Sequence, residues 1–327
     1  MSKIIPPALA GSSVEVTRAR QASEAAMAER TPLLLVAEEG FDTASIARWI
    51  HGRSRPGEPF VVVNPAHAEP GEIEAALFGS SSRAGSQAVE VLGAGSAFIR
   101  AGRGTIFIEG VAELPAVVQR RLARLLRDGE AKSPGRVPAP VQARVIASAQ
   151  PTIHSDVSDG RVRADLYRRL AAQEVVVPPL RTRPGDFASL VPAVAADVSR
   201  RLDRPAPTFT QSALTVLAAL PWRRNLQELD ALLERILRAA PDAGIKQEDV
   251  LAQLSFDGAF SRRAPSASLR EARLRFERDY IAAVLEQHHW RMSDAARALG
   301  IERANLYRKT RQLGISRAMP AQAAVSR

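Results

Sequence analysis

The sequence predicts an α/β domain built on a five-stranded parallel sheet, then a helical segment, then a separate all-α module. Three observations carry this. Strand-sized apolar runs alternate with helical patterns between Thr31 and about Pro179. From Asp186 to about Leu254 those runs stop and helical periodicity takes over, as in ASLVPAVAADVSRRL and LQELDALLERILRAA. The last stretch divides into three helices about a glycine turn. Short apolar runs separated by helices are what a parallel sheet covered on both faces requires.

Met1 to Arg30 holds a helical patch from about Val14 and reads as a short lead-in to the first strand. It is too short for a receiver or sensory domain, so input is expected through abundance, a partner or a ligand. The five strands are expected at Leu33 to Val36, Phe60 to Val63, Thr105 to Ile108, Ala143 to Ala147 and Glu174 to Val177. These divide the chain into a lead-in (1–30), an α/β core (31–185), a helical lid (186–255), a Gly/Pro/Ser linker (256–268), a terminal module (269–316) and a disordered tail (317–327). There is no internal repeat.

In the terminal module, Leu269, Ala272, Phe276, Tyr280, Ile281 and Val284 recur at helical spacing. Ser293 stands where an N-cap is wanted, and the short helix after it has Ala295, Ala296 and Leu299 as its inner face. Gly300 supplies a left-handed turn, so the next helix, about Arg303 to Gln312, crosses steeply. That helix buries Leu306 and turns Arg303, Asn305, Tyr307, Arg308, Lys309 and Arg311 outward beside Ala304. Arg pairs guanine and Asn pairs adenine in the major groove, so double-stranded DNA is the expected partner.

The charge distribution agrees. The chain is formally +10, and from Ser261 onward 14 Lys/Arg face 6 Asp/Glu, which places +8 in one-fifth of the sequence. Counterion release rewards so local a basic patch. With no cysteine there is no disulfide framework and no thiolate zinc site. The adjacent His288 and His289 read as turn residues rather than ligands, and no metal is expected. No apolar run reaches membrane-spanning length, and Met1 to Arg30 lacks the apolar core of a secretion signal, so a cytoplasmic protein without membrane contact is expected.

Two sets of motifs carry a family resemblance. The AARALGI turn, the LYRK run, Phe276 and Tyr280 resemble the Fis-type DNA-binding domain that ends many NtrC-like, sigma-54-dependent bacterial regulators. Upstream, PFVVVNPA (59–66), EAALFG (74–79), GRGTIFIEGVAELP (102–115), QARVIASAQ (142–150), VRADLYRRL (162–170), PPLRTRPGD (178–186) and PWRRNLQEL (221–229) resemble that family's AAA+ domain in the same order. The resemblance implies an AAA+ sheet with a helical lid, and homodimerisation through the first helices of the terminal module. It leaves open a higher oligomer through the AAA+ domain, and contact with RNA polymerase or an active homologue.

The departures fall on the chemistry. A phosphate-binding loop needs glycine amides and a lysine. This chain reads AEEGFDTAS, where only Gly40 survives and Thr43 replaces the family's lysine. Glu38, Glu39 and Asp42 are expected to repel phosphate: unit charges 4 Å apart interact by about 4 kcal/mol at an effective dielectric near 20. The strand ending Ile106-Phe107-Ile108 is followed by Glu109 and Gly110, so no second carboxylate positions water. Gln150 and Gln227 stand where the family has a sensor asparagine and a lid arginine. The residues aligned with the polymerase-contacting GAFTGA loop are Arg83, Ala84, Gly85, Ser86, Gln87 and Ala88.

Arg163 and Arg169 occupy the positions from which the family's arginine fingers act in trans; alternatively Arg163 pairs with Asp165 and Arg169 faces solvent or caps a helix. ATP binding is therefore expected to be weak or absent, with no hydrolysis, and the AAA+ domain to serve as scaffold or sensor. Two other readings stay open: an ATP-dependent sigma-54 activator with an unorthodox site, and an inactive subunit that modulates a ring of competent homologues.

Overall fold

The computed structural model describes residues 5–66, 68–79, 89–133, 136–239, 244–254, 278, 281, 285, 290–298 and 302–315. It divides into two compact units, 1–254 and 255–327.

In the first unit the strands are β1 (Leu33–Val36), β2 (Phe60–Val63), β3 (Glu90–Val91), β4 (Thr105–Ile108), β5 (Glu130–Lys132), β6 (Ala139–Pro140), β7 (Arg144–Ala149) and β8 (Glu174–Val176). Five of them form the expected parallel sheet in the order β2-β4-β7-β1-β8. Three match the sequence expectation residue for residue. The fourth was expected at Ala143 to Ala147, but β7 starts at Arg144 and continues to Ala149. Polar Ser148 hides that extension in the sequence; it is buried at the sheet end, where its hydroxyl accepts from Gly110 N at 3.0 Å. The fifth was expected to end at Val177. β8 ends at Val176, although Val177 N still donates to Val36 O at 2.8 Å.

The remaining strands make a small second sheet, β3-β5-β6, that the sequence did not announce. Its strands span two or three residues and carry no apolar run. It is held instead by Glu90, 2% exposed, which accepts from Arg121 and Arg124.

Helices α1 (Val14–Ala28), α2 (Thr43–Ser54), α3 (Pro70–Phe78), α4 (Ala97–Ala101), α5 (Ala116–Asp128), α6 (Ile153–Ser158) and α7 (Ala164–Leu170) accompany the strands. The lead-in is more than a connector. Leu9, Val16, Ala19 and Ala26 are buried, and α1 packs on α2 and β8. Ser12 N, Ser13 N and the Ser13 hydroxyl all donate to Asp186, at 2.8, 2.9 and 2.6 Å, tying the segment to the far end of the core.

The helical region contains α8 (Phe187–Arg201), α9 (Gln211–Ala218), α10 (Asn225–Ala239) and α11 (Gln247–Gln253), as the periodicity predicts. Trp222, 1% exposed, stacks on Phe187 and donates from Nε1 to Leu217 O at 2.8 Å, fixing the turn into α10.

The second unit contains α12 (Met292–Ala298) and α13 (Arg303–Gln312). Ile281, Leu285, Ala295, Ala296 and Leu306 form its buried cluster, flanked by Trp290, Met292, Leu313 and Ile315. One expectation is corrected. Ser293 is not the N-cap: α12 already includes Met292, and Asp294 N and Ala295 N both donate to Arg291 O. Trp290 takes the left-handed turn (φ 61°), so the helix starts two residues earlier than an N-cap at Ser293 would place it, and Ser293 is an exposed first-turn residue. Leu269, Ala272, Phe276, Tyr280, Val284, His288, His289, Leu299, Gly300, the linker and the tail lie outside the described residues. Among the described residues no helix is long and apolar enough to cross a membrane.

Candidate functional site

The loop between β1 and α2 sits at the C-terminal end of the parallel strands, where ligands of open α/β sheets bind. Gly40 is required there by packing. Its φ is 89°, and a Cβ would fall 1.9 Å from the Arg224 carbonyl oxygen. Gly40 O in turn accepts from Gln227 N at 3.0 Å. The glycine that resembles a phosphate-loop relic therefore seats the loop on the start of α10.

Neighbouring groups close the loop further. Asn225 is fully buried and takes a left-handed conformation (φ 43°), which Asn tolerates better than most residues. Its Oδ1 accepts from Leu180 N at 3.0 Å, while Nδ2 donates to Glu39 O at 3.0 Å and Glu38 Oε2 at 3.3 Å. Both terminal nitrogens of Arg181 grip Glu38 at 2.6 Å, and Arg224 pairs with Glu39 at 3.2 Å. The Arg181 hydrogen bonds hold the Glu38 carboxyl below the usual range, against the opposing effect of burial.

These pairs correct the expectation that Glu38 and Glu39 line a repulsive cradle. Both are engaged by arginines. The remaining carboxylate, Asp42, caps α2: its Oδ1 accepts from Ser45 N at 2.9 Å, and its other oxygen from the Ser45 hydroxyl. A helix N-terminus is an anion site by virtue of its free amides. At α2 a side-chain carboxylate of the protein already takes that place.

Gly40, Asp42, Glu109 and Gln227 converge on one cavity of about 600 Å³, walled on its apolar side by Pro6, Pro7 and Phe41. Asn64 donates to Glu109 Oε2 at 2.8 Å. Gly110 has φ 74°, a left-handed conformation in which a glutamate would be strained. Two expected members of the constellation do not join it. Thr43 is buried as the first residue of α2, and exposed Gln150 lies beyond β7; neither lines the cavity. Arg163 forms a two-pronged pair with Asp165, at 3.0 and 2.8 Å, while Arg169 is half-buried on α7. The residues aligned with the polymerase-contacting loop, Arg83 to Ala88, lie outside the described residues.

The α13 helix has the expected limits. Leu306 and Thr310 face inward, whereas Arg303, Ala304, Tyr307, Arg308 and Arg311 are exposed; Asn305 and Lys309 are half-buried. Arg303 lies over the Tyr307 ring at 5.7 Å, and Arg308 donates to Asn305 Oδ1 at 2.8 Å.

Comparison with known proteins gives these geometries a family. Residues 9–176 match the Sigma-54 interaction domain, 181–267 the AAA+ ATPase lid domain, and 273–313 the Fis family of bacterial regulatory proteins. The nitrogen assimilation regulatory protein NtrX of Azorhizobium caulinodans is 30% identical over 95% of this chain and 70% of its own.

The chain belongs to the NtrC-like family of sigma-54-dependent regulators.

Another relative is the hydrogenase transcriptional regulatory protein HoxA of Cupriavidus necator, 32% identical over 87% of this chain. Three curated relatives are matched over only 61%, 52% and 57% of their own lengths. Among solved structures, NtrX of Brucella abortus in complex with ATP aligns with a TM-score of 0.66 at 27% identity, covering 94% of this chain and 69% of that one. The same protein with ADP gives 0.62 at 28%. The family fold, an AAA+ domain and a Fis-type helix-turn-helix, is thus the one the motifs imply.

Sequence reasoning missed the residues that pair with Glu38 and Glu39. Arg181, Arg224 and Asn225 are 140 or more positions from it and resemble ordinary lid residues. The one sequence signal was the lone Gly40, whose positive φ and close approach to Arg224 mark where α10 meets the loop.

Proposed function

We propose that this chain is a DNA-binding transcription regulator whose AAA+ domain no longer hydrolyses ATP and acts as a scaffold or sensor. The observation that carries this reading is the Asp42 carboxylate on the N-terminus of α2. A triphosphate needs those amides and a lysine, and the chain offers an occupied cap and Thr43 instead. Glu109 alone is left to hold magnesium, with Gly110 beside it.

The terminal unit does the remaining work. Arg303, Asn305, Tyr307, Arg308, Lys309 and Arg311, with Ala304 and Ser293 nearby, form the DNA-reading face. Two copies paired through their first helices present α13 to successive major grooves about 34 Å apart. A linker at 256–268 joins this unit to the scaffold, and the protein works in the cytoplasm. Mapping bound sites in cells and measuring affinity of the full chain for one such site tests the assignment. Arg303→Ala or Asn305→Ala should cost roughly 1–3 kcal/mol and relax preference at one base. Unchanged binding by both variants defeats it.

The second reading, an ATP-dependent activator, is favoured by the NtrX structures solved with ATP and ADP. A third, a subunit that completes a ring of active homologues through Arg163 and Arg169, requires Arg163 to leave Asp165. Co-purification with a homologue whose phosphate loop is intact separates that reading from a pure homodimer.

A further inference from the structure

The opposite end of the sheet carries a second cavity, of about 400 Å³, to which no role has been given. Its walls come from the segments just before β1, β2, β4 and β7 and from the ends of α1 and α2. Arg30, Arg55 and Arg103 line it, with Ser54, Glu58 and Gln142. Such a volume lies within the range of small-molecule sites.

Several arginines of this chain are held by carboxylates. Arg121, Arg161, Arg181 and Arg201 each pair with a carboxylate. Arg30, Arg55, Arg103 and the adjacent Arg144 form no ion pair among the described residues. Arg55 donates from Nη1 to the carbonyls of Arg103, Gly104 and Gln142, leaving its second terminal nitrogen for another acceptor. Arg144 is 1% exposed, donates to Thr31 O and Gln173 Oε1, and keeps Nη1 buried without a hydrogen-bond partner.

The cluster also repels itself. Burial and then the charge of Arg55 bring the Arg144 guanidinium down to about 10, and Arg55 is lowered by burial and by Arg30. Part of the charge is balanced by Glu29, Glu58 and the carbonyl ends of α1 and α2, the latter worth about half a unit charge each. Burial, and then the charges of Arg55 and Arg48, lower the neighbouring His51 imidazole, and Arg103 extends into a second groove lined by Lys132. The charged side chains lining the cavity leave one positive charge, which the two helix ends roughly offset, and buried Arg144 behind them adds one more.

We propose that this cavity binds the phosphoryl group of a small soluble phosphate ester, held between Arg30, Arg55 and Arg103 at the end of the sheet remote from the nucleotide cleft. Guanidinium forks suit phosphate oxygens bidentately, and the concave shape favours a small molecule over duplex DNA.

The test is calorimetry of the full chain with inorganic pyrophosphate, without magnesium and at constant ionic strength. Citrate and a DNA duplex serve as comparison ligands. Saturable pyrophosphate binding is expected, weakened about tenfold or more by Arg103→Gln and again by Arg30→Gln, as for loss of one charge-assisted hydrogen bond each. Both side chains are exposed, so folding should survive. Glu58→Gln should tighten binding. No saturation, binding that ignores both arginine variants, or displacement by duplex would overturn the proposal. Citrate binding as tight as pyrophosphate would overturn the phosphate assignment.

Discussion

The β1–α2 loop and the α13 helix are both charged, and they use their charge in opposite ways. In the loop every carboxylate has a partner within the protein: Glu38 with Arg181, Glu39 with Arg224, and Asp42 with Ser45 at the head of α2. On α13 the cations Arg303, Arg308 and Arg311 stand exposed, while a single apolar stripe anchors the helix. Charge satisfied internally stabilises a shape; charge left outward is available to a partner. On the function proposed above, one chain keeps a whole AAA+ fold and puts its recognition chemistry elsewhere.

The largest expected effect comes from removing the anchor under α13. Leu306 is fully buried against Ile281, Leu285, Ala295 and Ala296 among the described residues, so Leu306→Ala should cost about 2–5 kcal/mol and abolish DNA binding. Denaturant unfolding should show the loss in the terminal unit, with the transition of residues 1–254 unmoved. If both transitions shifted together, the two-unit division would be wrong.

Next is Asn225→Ala, which strands Leu180 N and Glu39 O in a buried site. It should destabilise the first unit by about 1–3 kcal/mol, read as a lower unfolding midpoint, without altering affinity for DNA. A fall in DNA affinity as large as the stability loss would erase the proposed separation.

Smaller still is an acid effect at Glu38. Its folded pKa lies below an unfolded value of about 4.3, so its stabilisation is complete above that value and is lost as pH falls through the folded pKa. Arg181→Ala should therefore flatten the acid limb of the stability–pH curve, leaving neutral behaviour little changed apart from loss of the pair. An acid limb identical to that of the parent protein would remove Arg181 as the cause. Last, Arg224→Ala breaks an exposed pair with Glu39 and should cost less than about 1 kcal/mol.

Legibility followed the reach of each interaction. β1, β2 and β4 were readable because four consecutive apolar residues fill each of the first two and three, after Thr105, fill the last. α13 was readable because Leu306 and the outward cations obey one helical period. The β3-β5-β6 sheet was not, since Glu90, Arg121 and Arg124 hold it across more than thirty positions. The same applies to the cleft. Gly40, Glu109 and Gln227 line one cavity, whereas Thr43 and Gln150 do not. The charges of Glu38 and Glu39 looked like a repulsive cradle until Arg181 and Arg224 supplied their partners from the lid.

Equilibrium titration of the full chain with Mg-ATP, followed by a turnover assay against a Glu109→Ala control, goes straight to the central claim. The account predicts no saturable binding at millimolar nucleotide and no turnover above the control, because the head of α2 is already capped by Asp42. Saturable binding with hydrolysis that disappears in the Glu109→Ala protein would contradict it.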